Sequence, residues 1–189
     1  MQRLVWILIS SLLCGVSWGA DAYRGADSNL LAQVRAEFET ATESSAATTA
    51  LIELLDQKLP QETTEWPPVF LAYRAALEGL TGKHSLRPWQ KYNRTQAGLA
   101  RFEGLVEANP ESIEIRMLRF SFCSQLPDFF DMQAQAGQDR RALIEMLAQK
   151  LDPMVSDAYR QDSMRWIVNN GKPLPAERKK LEAMLAEKK

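Results

Sequence analysis

The sequence predicts an all-α single domain of seven or eight antiparallel helices in a helical-repeat-like stack. Apolar residues recur at spacings of three and four along the whole chain, and no stretch shows the sustained alternation of a half-buried strand. Proline and glycine stand at intervals that divide the chain into helix-length segments. Because the connections between these segments are mostly about two to six residues long, successive helices are expected to pack as antiparallel neighbours.

Local signals place the helices in order. The predicted helices cover about 28–40, 45–58, 69–80, 86–108, 113–125, 138–151 and 153–169, with a short piece at 128–135 and a last amphipathic helix after 175. Asp27 or Ser28 is predicted to cap the first helix, because its side-chain oxygen can accept from backbone N–H groups of the first turn. Gly82 is predicted to end the third helix in a left-handed conformation, and Asp152-Pro153 to begin the seventh.

The fourth and fifth helices carry the most distinctive patterns. Ser85 is predicted to cap the fourth helix with Pro88 in its first turn, and Ser112 to cap the fifth. Arg116 and Arg119 share one narrow edge of the fifth helix, an arc of about 60° that also holds Ser112 and Cys123. The helix has apolar residues on both sides of that edge, namely Ile113, Met117 and Phe120 on one and Ile115, Leu118 and Phe122 on the other. Such a helix is expected to lie between neighbours, with its arginines exposed or internally paired.

The first residues have the order of a secretory signal peptide. Arg3 precedes an apolar run over 4–13, and small residues follow, which predicts a cleaved segment 1–22 and a single all-α domain over 23–189. Cleavage is expected after Ala22, with Gly19 and Ala20 as alternatives, and an uncleaved N-terminal anchor as the other interpretation of the segment. The expected location is therefore the bacterial periplasm or the exterior, with no stable membrane span after cleavage.

Composition narrows the possible functions. The net charge of -1 does not favour nucleic-acid binding. After cleavage Cys123 is the single cysteine, so no intramolecular disulfide is expected, and His84 is the single histidine, which argues against a multi-histidine zinc site. No catalytic motif, cofactor fingerprint or metal-ligand spacing is present, so no catalytic residue, metal or cofactor is predicted.

Two segments suggest a helix-pair repeat. From Tyr73 to Leu80 and from Phe102 to Ser112 the chain resembles a repeat of the tetratricopeptide kind, with small residues, an aromatic residue and a proline that closes the second helix. The tryptophan, Leu-Gly and tyrosine spacing of such a repeat's first helix is absent before Phe102. The span from Tyr73 to Arg119 also resembles secreted bacterial helical proteins of no assigned function, which implies a fold and no activity.

Basic residues form the candidate binding site. No acidic residue occurs from Gly79 to Phe102, while cations and the single histidine recur there. The candidate residues are Lys83, His84, Arg87, Lys91, Arg94 and Arg101, together with Arg116 and Arg119 on the fifth helix. They are predicted to line a groove for a carboxylate, a phosphate or an acidic partner segment, with Gly98 allowing close approach. The alternative is a solvated face whose arginines pair with Glu78, Glu103, Glu107 or Glu114.

The leading functional hypothesis is a non-enzymatic protein-binding or scaffold module of the cell envelope, with an envelope protein or peptide as its partner. The alternative is a small anionic ligand binder or enzyme that uses an arginine-lined pocket on the fourth and fifth helices. A third hypothesis is thiol chemistry at Cys123, if neighbouring cations lower the pKa of its thiol. The alternative is a cysteine that only packs beside Phe120 and Phe122.

Overall fold

The computed structural model describes residues 21–187, which form eight α-helices and three short 3-10 turns. The predicted signal segment lies outside the described residues as far as residue 20. The helices are α1 Ser28–Glu43, α2 Ser45–Lys58, α3 Pro68–His84, α4 Pro88–Ala108, α5 Ile113–Ser124, α6 Gln133–Gln149, α7 Asp157–Asn170 and α8 Pro175–Ala186. The all-α class is confirmed, and the sequential contacts between helix pairs are those of a stack.

The centre of the fold is α3. It packs against α1, α2, α4 and α5, and also against the 3-10 turn Asp21–Tyr23. Because α3 contains several alanines and glycines, which have small or no side chains, neighbouring helices can approach its backbone closely. One apolar cluster extends from Val34 in α1 through Phe70, Phe102 and Phe120 to Leu181 in α8, and all five side chains are almost completely buried.

The helix caps confirm several predictions. Asp27 caps α1 by accepting from the N–H groups of Asn29 and Leu30, and Ser112 caps α5 by accepting from Ile115. Pro88 occupies the first position of α4, where a missing N–H has no cost. The prediction that Ser85 caps α4 is wrong, because Arg87 occupies the capping position.

The predicted ends of two helices are wrong. Gly82 does not terminate α3, which continues to His84; a Cβ atom at Gly82 would lie 2.9 Å from Cβ of Arg94, so this glycine serves close packing against α4. The seventh helix begins at Asp157 with Ser156 as its cap, not at Asp152-Pro153. Asp152 is instead fully buried and makes tertiary hydrogen bonds.

The sixth helix also starts earlier than predicted. It begins at Gln133, and the expected short piece before it is reduced to the 3-10 turn Asp128–Phe130. Asp131 takes the left-handed conformation, with a φ of 55°, between this turn and α6. The chain between α5 and α6 therefore changes direction at Asp131, just before α6 begins.

The two-sided pattern of α5 is confirmed. This helix packs on α6 and, on another side, on α3 and α4. Phe122 fills the space above Gly79, where a Cβ atom would lie only 1.8 Å from its ring, and it also contacts Phe102. Phe120 packs edge-on against Trp166 of α7. The polar side chains of α5 therefore need hydrogen-bond partners on neighbouring helices.

Candidate functional site

The two arginines of α5 bind one buried carboxylate on α6. Arg119 donates from Nε to Asp139 Oδ2 at 2.8 Å and from Nη2 to Oδ1 at 2.6 Å. Arg116 donates from Nη1 to Asp139 Oδ1 at 3.0 Å and from Nη2 to the carbonyl oxygen of Pro110 at 2.9 Å. Asp139 has no exposed surface. The arginines are thus internally paired, and a shared carboxylate compensates the two charges only because it is hydrogen-bonded to both.

Another ion pair joins α5 to α1. Glu114 is fully buried, and Arg35 donates to it from Nε at 2.7 Å and from Nη2 at 2.5 Å. The hydroxyl of Tyr73 donates to the same carboxylate at 2.7 Å. The hydrogen bond with Glu114 raises the pKa of Arg35, and burial raises the pKa of Tyr73 well above its usual value. At neutral pH the guanidinium of Arg35 therefore stays charged and the phenol of Tyr73 stays protonated.

A third buried carboxylate holds the start of α5. Asp152 accepts from the backbone N–H of Ile113 at 3.0 Å, from that of Met154 at 3.0 Å and from the hydroxyl of Tyr23 at 3.3 Å. Burial raises the pKa of Asp152, although these hydrogen bonds oppose the rise. Together with Ser112, Asp152 satisfies N–H groups that the first turn of a helix leaves without partners. The role of this carboxylate is structural.

The predicted site residues at the end of α3 contact the end of α1. Lys83 donates from Nζ to the carbonyl oxygen of Thr42 at 2.6 Å and lies 3.5 Å from the carboxylate of Glu43. The Nε2 atom of His84 lies 3.4 Å from the carbonyl oxygen of Ala41. Both side chains therefore bind the last turn of α1, where positive charge is favourable.

The predicted residues of α4 have different environments. Arg94 pairs with Glu78 of α3, one of the glutamates that the sequence suggested as a partner. Arg87 lies over the ring of Trp89, with 5.5 Å between its guanidinium carbon and the ring centroid. Lys91 and Arg101 are exposed and have no ion pair within the described residues.

The structure does not bring the two arginine sets to one common space. Arg116 and Arg119 face α6, whereas Arg94 reaches α3. The space expected beside Gly98 is occupied, because a Cβ atom there would lie 2.8 Å from the carbonyl oxygen of Ala75. Anion binding by the eight candidate residues stays a prediction.

A cluster of exposed apolar side chains lies where α4 begins and α5 ends. This end surface consists of the exposed Leu86, Trp89, Tyr92 and Phe129 and of the half-buried Phe130, which stacks on Tyr92. Leu86 is 96% exposed, Phe129 74% and Trp89 59%. The rings of Tyr92 and Phe130 are stacked with centroids 5.6 Å apart, and those of Phe129 and Phe130 are 4.5 Å apart. The rings of Tyr92, Phe130 and Phe129 thus form a packed row at this end of the fold.

The sequence did not reveal this surface. Trp89 and Tyr92 precede the buried residues of α4, the first of which are Thr95 and Gly98. A signal was present in the 128–131 segment, where two adjacent phenylalanines are bracketed by aspartates in a proline-containing connection. Core aromatics are not usually placed in so short and polar a connection.

Cys123 does not have the environment of a reactive thiol. Burial, followed by the charge of Asp139, raises the pKa of Cys123 to about 12, and the opposing effect of Arg119 is smaller. The thiol-chemistry hypothesis required a lowered pKa, whereas the buried position of Cys123 agrees with the packing alternative. A thiol that stays protonated at neutral pH is a poor nucleophile.

Other kinds of site were sought over residues 21–187. Within that range no cluster of histidine, cysteine and acidic residues could hold a metal ion, and no helix is long and apolar enough to span a membrane. A shallow cavity of about 280 Å³ lies near the start of α1, lined by residues that include Arg24, Lys58 and Glu65. Its lining contains none of the candidate binding residues.

Comparisons with protein-family models, with curated protein sequences and with solved structures gave no significant match to this chain.

Proposed function

We propose that this protein is a non-enzymatic protein-binding or scaffold module of the bacterial cell envelope, periplasmic or secreted. The single observation that carries the proposal is the end surface. The rings of Tyr92, Phe130 and Phe129 pack in a row there, and Trp89 and the nearly fully exposed Leu86 lie at or just before the start of α4. Exposed aromatic and aliphatic side chains grouped at one end of a fold are typical of interaction sites.

The composition of the end surface supports a protein partner. Tryptophan, tyrosine and arginine are the residues that dominate binding energy in protein interfaces. Trp89, Tyr92 and Arg87 lie within two turns of one another at the start of α4. Aromatic side chains also lose little conformational entropy on binding, because they have few rotatable bonds.

The interior polar groups support a binding role over a catalytic one. The three fully buried carboxylates, those of Glu114, Asp139 and Asp152, each accept hydrogen bonds from at least two partners. A general base needs a free position facing a substrate, and a carboxylate held on several sides serves structure instead. The alternative of an arginine-lined pocket has no supporting observation in the described part of the chain.

The scaffold interpretation rests on the helix-pair character of the chain. The segments at Tyr73–Leu80 and Phe102–Ser112, which resemble tetratricopeptide-like pairs, belong to α3, α4 and the start of α5, and these helices pack consecutively. The envelope location rests on the signal-like pattern of residues 1–22.

A capture experiment tests this function. The full chain with a C-terminal tag is incubated with envelope extract, beside a Leu86→Ser/Phe129→Ser variant and a control variant, Met154→Ser/Leu174→Ser. The control removes two side chains that are 51% and 56% exposed on other parts of the surface. A protein captured by the parent and the control, but lost by the end-surface variant, is expected. Equal capture by all three proteins, or capture by none, contradicts the proposal.

A further inference from the structure

The first described residues of the chain are folded into the core. Asp21–Tyr23 forms a 3-10 turn that packs against α3, and within it Ala22 is 1% and Tyr23 6% exposed. The backbone N–H of Arg24 donates to the carbonyl oxygen of Asp21 at 3.2 Å and closes the turn. The peptide bond between Ala22 and Tyr23 therefore joins two residues that the fold covers almost completely.

The same turn completes the buried polar contacts at the start of α5. The hydroxyl of Tyr23 donates to Asp152 Oδ2 at 3.3 Å, and that oxygen also accepts from the backbone N–H of Ile113 at 3.0 Å. Asp27, which caps α1, follows shortly after Tyr23 in the sequence. The turn thus contacts α3 and connects the cap of α1 with the start of α5, so it stabilises helices from different parts of the chain.

Two of the three predicted cleavage bonds fit a signal peptidase. Such an enzyme requires a small residue just before the cut and another at the third position before it. Cleavage after Ala22, which the sequence alone favoured, has Ala20 at the third position. Cleavage after Gly19 has Ser17 there, whereas cleavage after Ala20 has the large Trp18. The two suitable bonds differ in whether the mature chain keeps the whole 3-10 turn.

Cleavage after Ala22 would remove part of the core. The chain would begin at Tyr23, without the buried methyl group of Ala22 and without the carbonyl oxygen that accepts from Arg24. It would instead carry an α-amino group, mostly charged at neutral pH, next to a ring that is only 6% exposed. Removing such a charge from water without a partner is unfavourable. A chain cut after Gly19 keeps Asp21, whose side chain is 65% exposed, between its terminus and the buried residues.

We infer that the signal peptide is removed by hydrolysis of the Gly19–Ala20 peptide bond, so that the mature protein begins at Ala20 and keeps Asp21–Tyr23 as a docked N-terminal turn. The inference rests on the envelope location in the proposed function and assigns the processing site. A signal peptidase of the envelope supplies the catalytic groups and water is the second reactant. The oxygen of the water enters the new carboxylate of Gly19, and its protons go to the new amino group of Ala20 and to solvent.

Folding protects the alternative bond from later cleavage. Proteases cut exposed segments, and the effect of a truncation depends on the burial and hydrogen bonding of the affected backbone. Once the turn has docked, the bond between Ala22 and Tyr23 is covered on both sides. Any trimming of the folded protein is therefore expected to stop before the turn.

The N-terminus of the exported protein tests the inference. The full chain with a C-terminal tag is expressed in a bacterial host, and the intact mass and N-terminal sequence of the periplasmic protein are determined. The expected first residue is Ala20. A chain that begins at Asp21 overturns the assigned bond, and one that begins at Tyr23 also overturns the retained turn, but both leave the envelope location intact. An uncleaved chain in the membrane fraction overturns the inference alone, whereas an uncleaved chain in the cytoplasm counts against both proposals.

Two neighbouring substitutions distinguish the bonds without depending on the stability of the product. Gly19→Leu places a large residue just before the inferred cut, and Ala20→Leu places one at the third position before the alternative bond. In a pulse-chase experiment, Gly19→Leu should abolish the product that begins at residue 20, whereas Ala20→Leu should be processed like the parent. The reverse pattern overturns the inference.

Thermal unfolding of chains without the signal peptide tests the physical reason. Chains that begin at Ala20 and at Tyr23 are compared by circular dichroism. Asp21→Ala in the longer chain is the control for the exposed ion pair between Asp21 and Arg24. The chain that begins at Tyr23 should melt at least ~2 °C lower or fail to fold, and the control should change the melting temperature much less. Equal melting temperatures of the two chains overturn the argument that the buried turn selects the cleavage bond.

Discussion

The carboxylate shared by Arg116 and Arg119 should be among the most important polar groups for stability. Asp139→Ala removes an acceptor of three N–H bonds and leaves two guanidinium groups facing an apolar methyl group. The side chain of Arg119 is only 10% exposed, so water cannot replace the lost partner. Removing one partner of a buried ion pair costs about 3–5 kcal/mol, and we expect a loss in this range for Asp139→Ala.

Urea denaturation followed by circular dichroism measures this loss. Asp162→Ala is the matched control, because Asp162 also pairs with an arginine but is 73% exposed. The free energy of unfolding should fall by less than about 1 kcal/mol for that exposed pair. If Asp139→Ala is too unstable to fold, Asp139→Asn, which retains one acceptor oxygen, is compared with Asp162→Asn.

A double-mutant cycle separates the ion pair from general damage to the core. In an Arg119→Ala background, the Asp139→Ala change should cost at least about 1 kcal/mol less than in the parent, because its main partner is already absent. A loss for Asp139→Ala no larger than that for Asp162→Ala would refute the reasoning. Strict additivity in the cycle would show that the loss arises from packing and not from the pair.

Three further predictions follow from the interior. Gly98→Ala should destabilise the protein by about 1–3 kcal/mol, because its Cβ would lie 2.8 Å from the carbonyl oxygen of Ala75, whereas Gly104→Ala, with open space around it, should stabilise it by about 0.5–1 kcal/mol. Urea denaturation measures both, and equal effects would contradict the packing argument. Cys123 should react with iodoacetamide at least ~100-fold more slowly in the native protein than in urea, because burial raises its pKa to about 12; similar rates measured by mass spectrometry would contradict this. Burial raises the pKa of Asp152 above its ordinary value of 3.8, so the folded state binds a proton at this carboxyl group more tightly than the unfolded state does. The contribution of the protonated group to stability is therefore greatest below pH 3.8 and is lost as pH rises through the raised pKa. Relative to Asp152→Asn, the parent should therefore lose stability as pH rises above about 4, and a difference that does not vary with pH would contradict the argument.

The sequence predicted those features that depend on neighbours along the chain. Asp27, Ser112 and Pro88 act within one helical turn, and their roles at helix starts were correct. The two apolar faces of α5 also follow from helical periodicity alone. Gly82 was misinterpreted because a glycine near a helix end is compatible with a left-handed cap and with close packing, and only the position of α4 distinguishes them.

The polar partners could not be predicted from the sequence. Glu114 pairs with Arg35, 79 residues away, and Arg119 pairs with Asp139, 20 residues away on another helix. Periodicity indicates which face of a helix is buried, but not which helix covers it. The suggested partners of the arginines were Glu78, Glu103, Glu107 or Glu114, whereas the fold supplies an aspartate of α6 to Arg116 and Arg119.

The same ion pairs hold in place the elements that carry the end surface proposed for binding. Arg35 holds α5 to α1 through Glu114, and Asp139 holds it to α6, so α5 is fixed on two sides. Phe122, near the end of α5, packs into the space above Gly79 and so fixes that end against α3. The turn that carries Phe129 and Phe130 follows directly, and Phe130 stacks on Tyr92 of α4. The aromatic rings therefore rest on elements that are already ordered, and a partner would lose little free energy in arranging them. Under the proposed function, these buried charges serve recognition because they hold in place the helices that present the exposed surface.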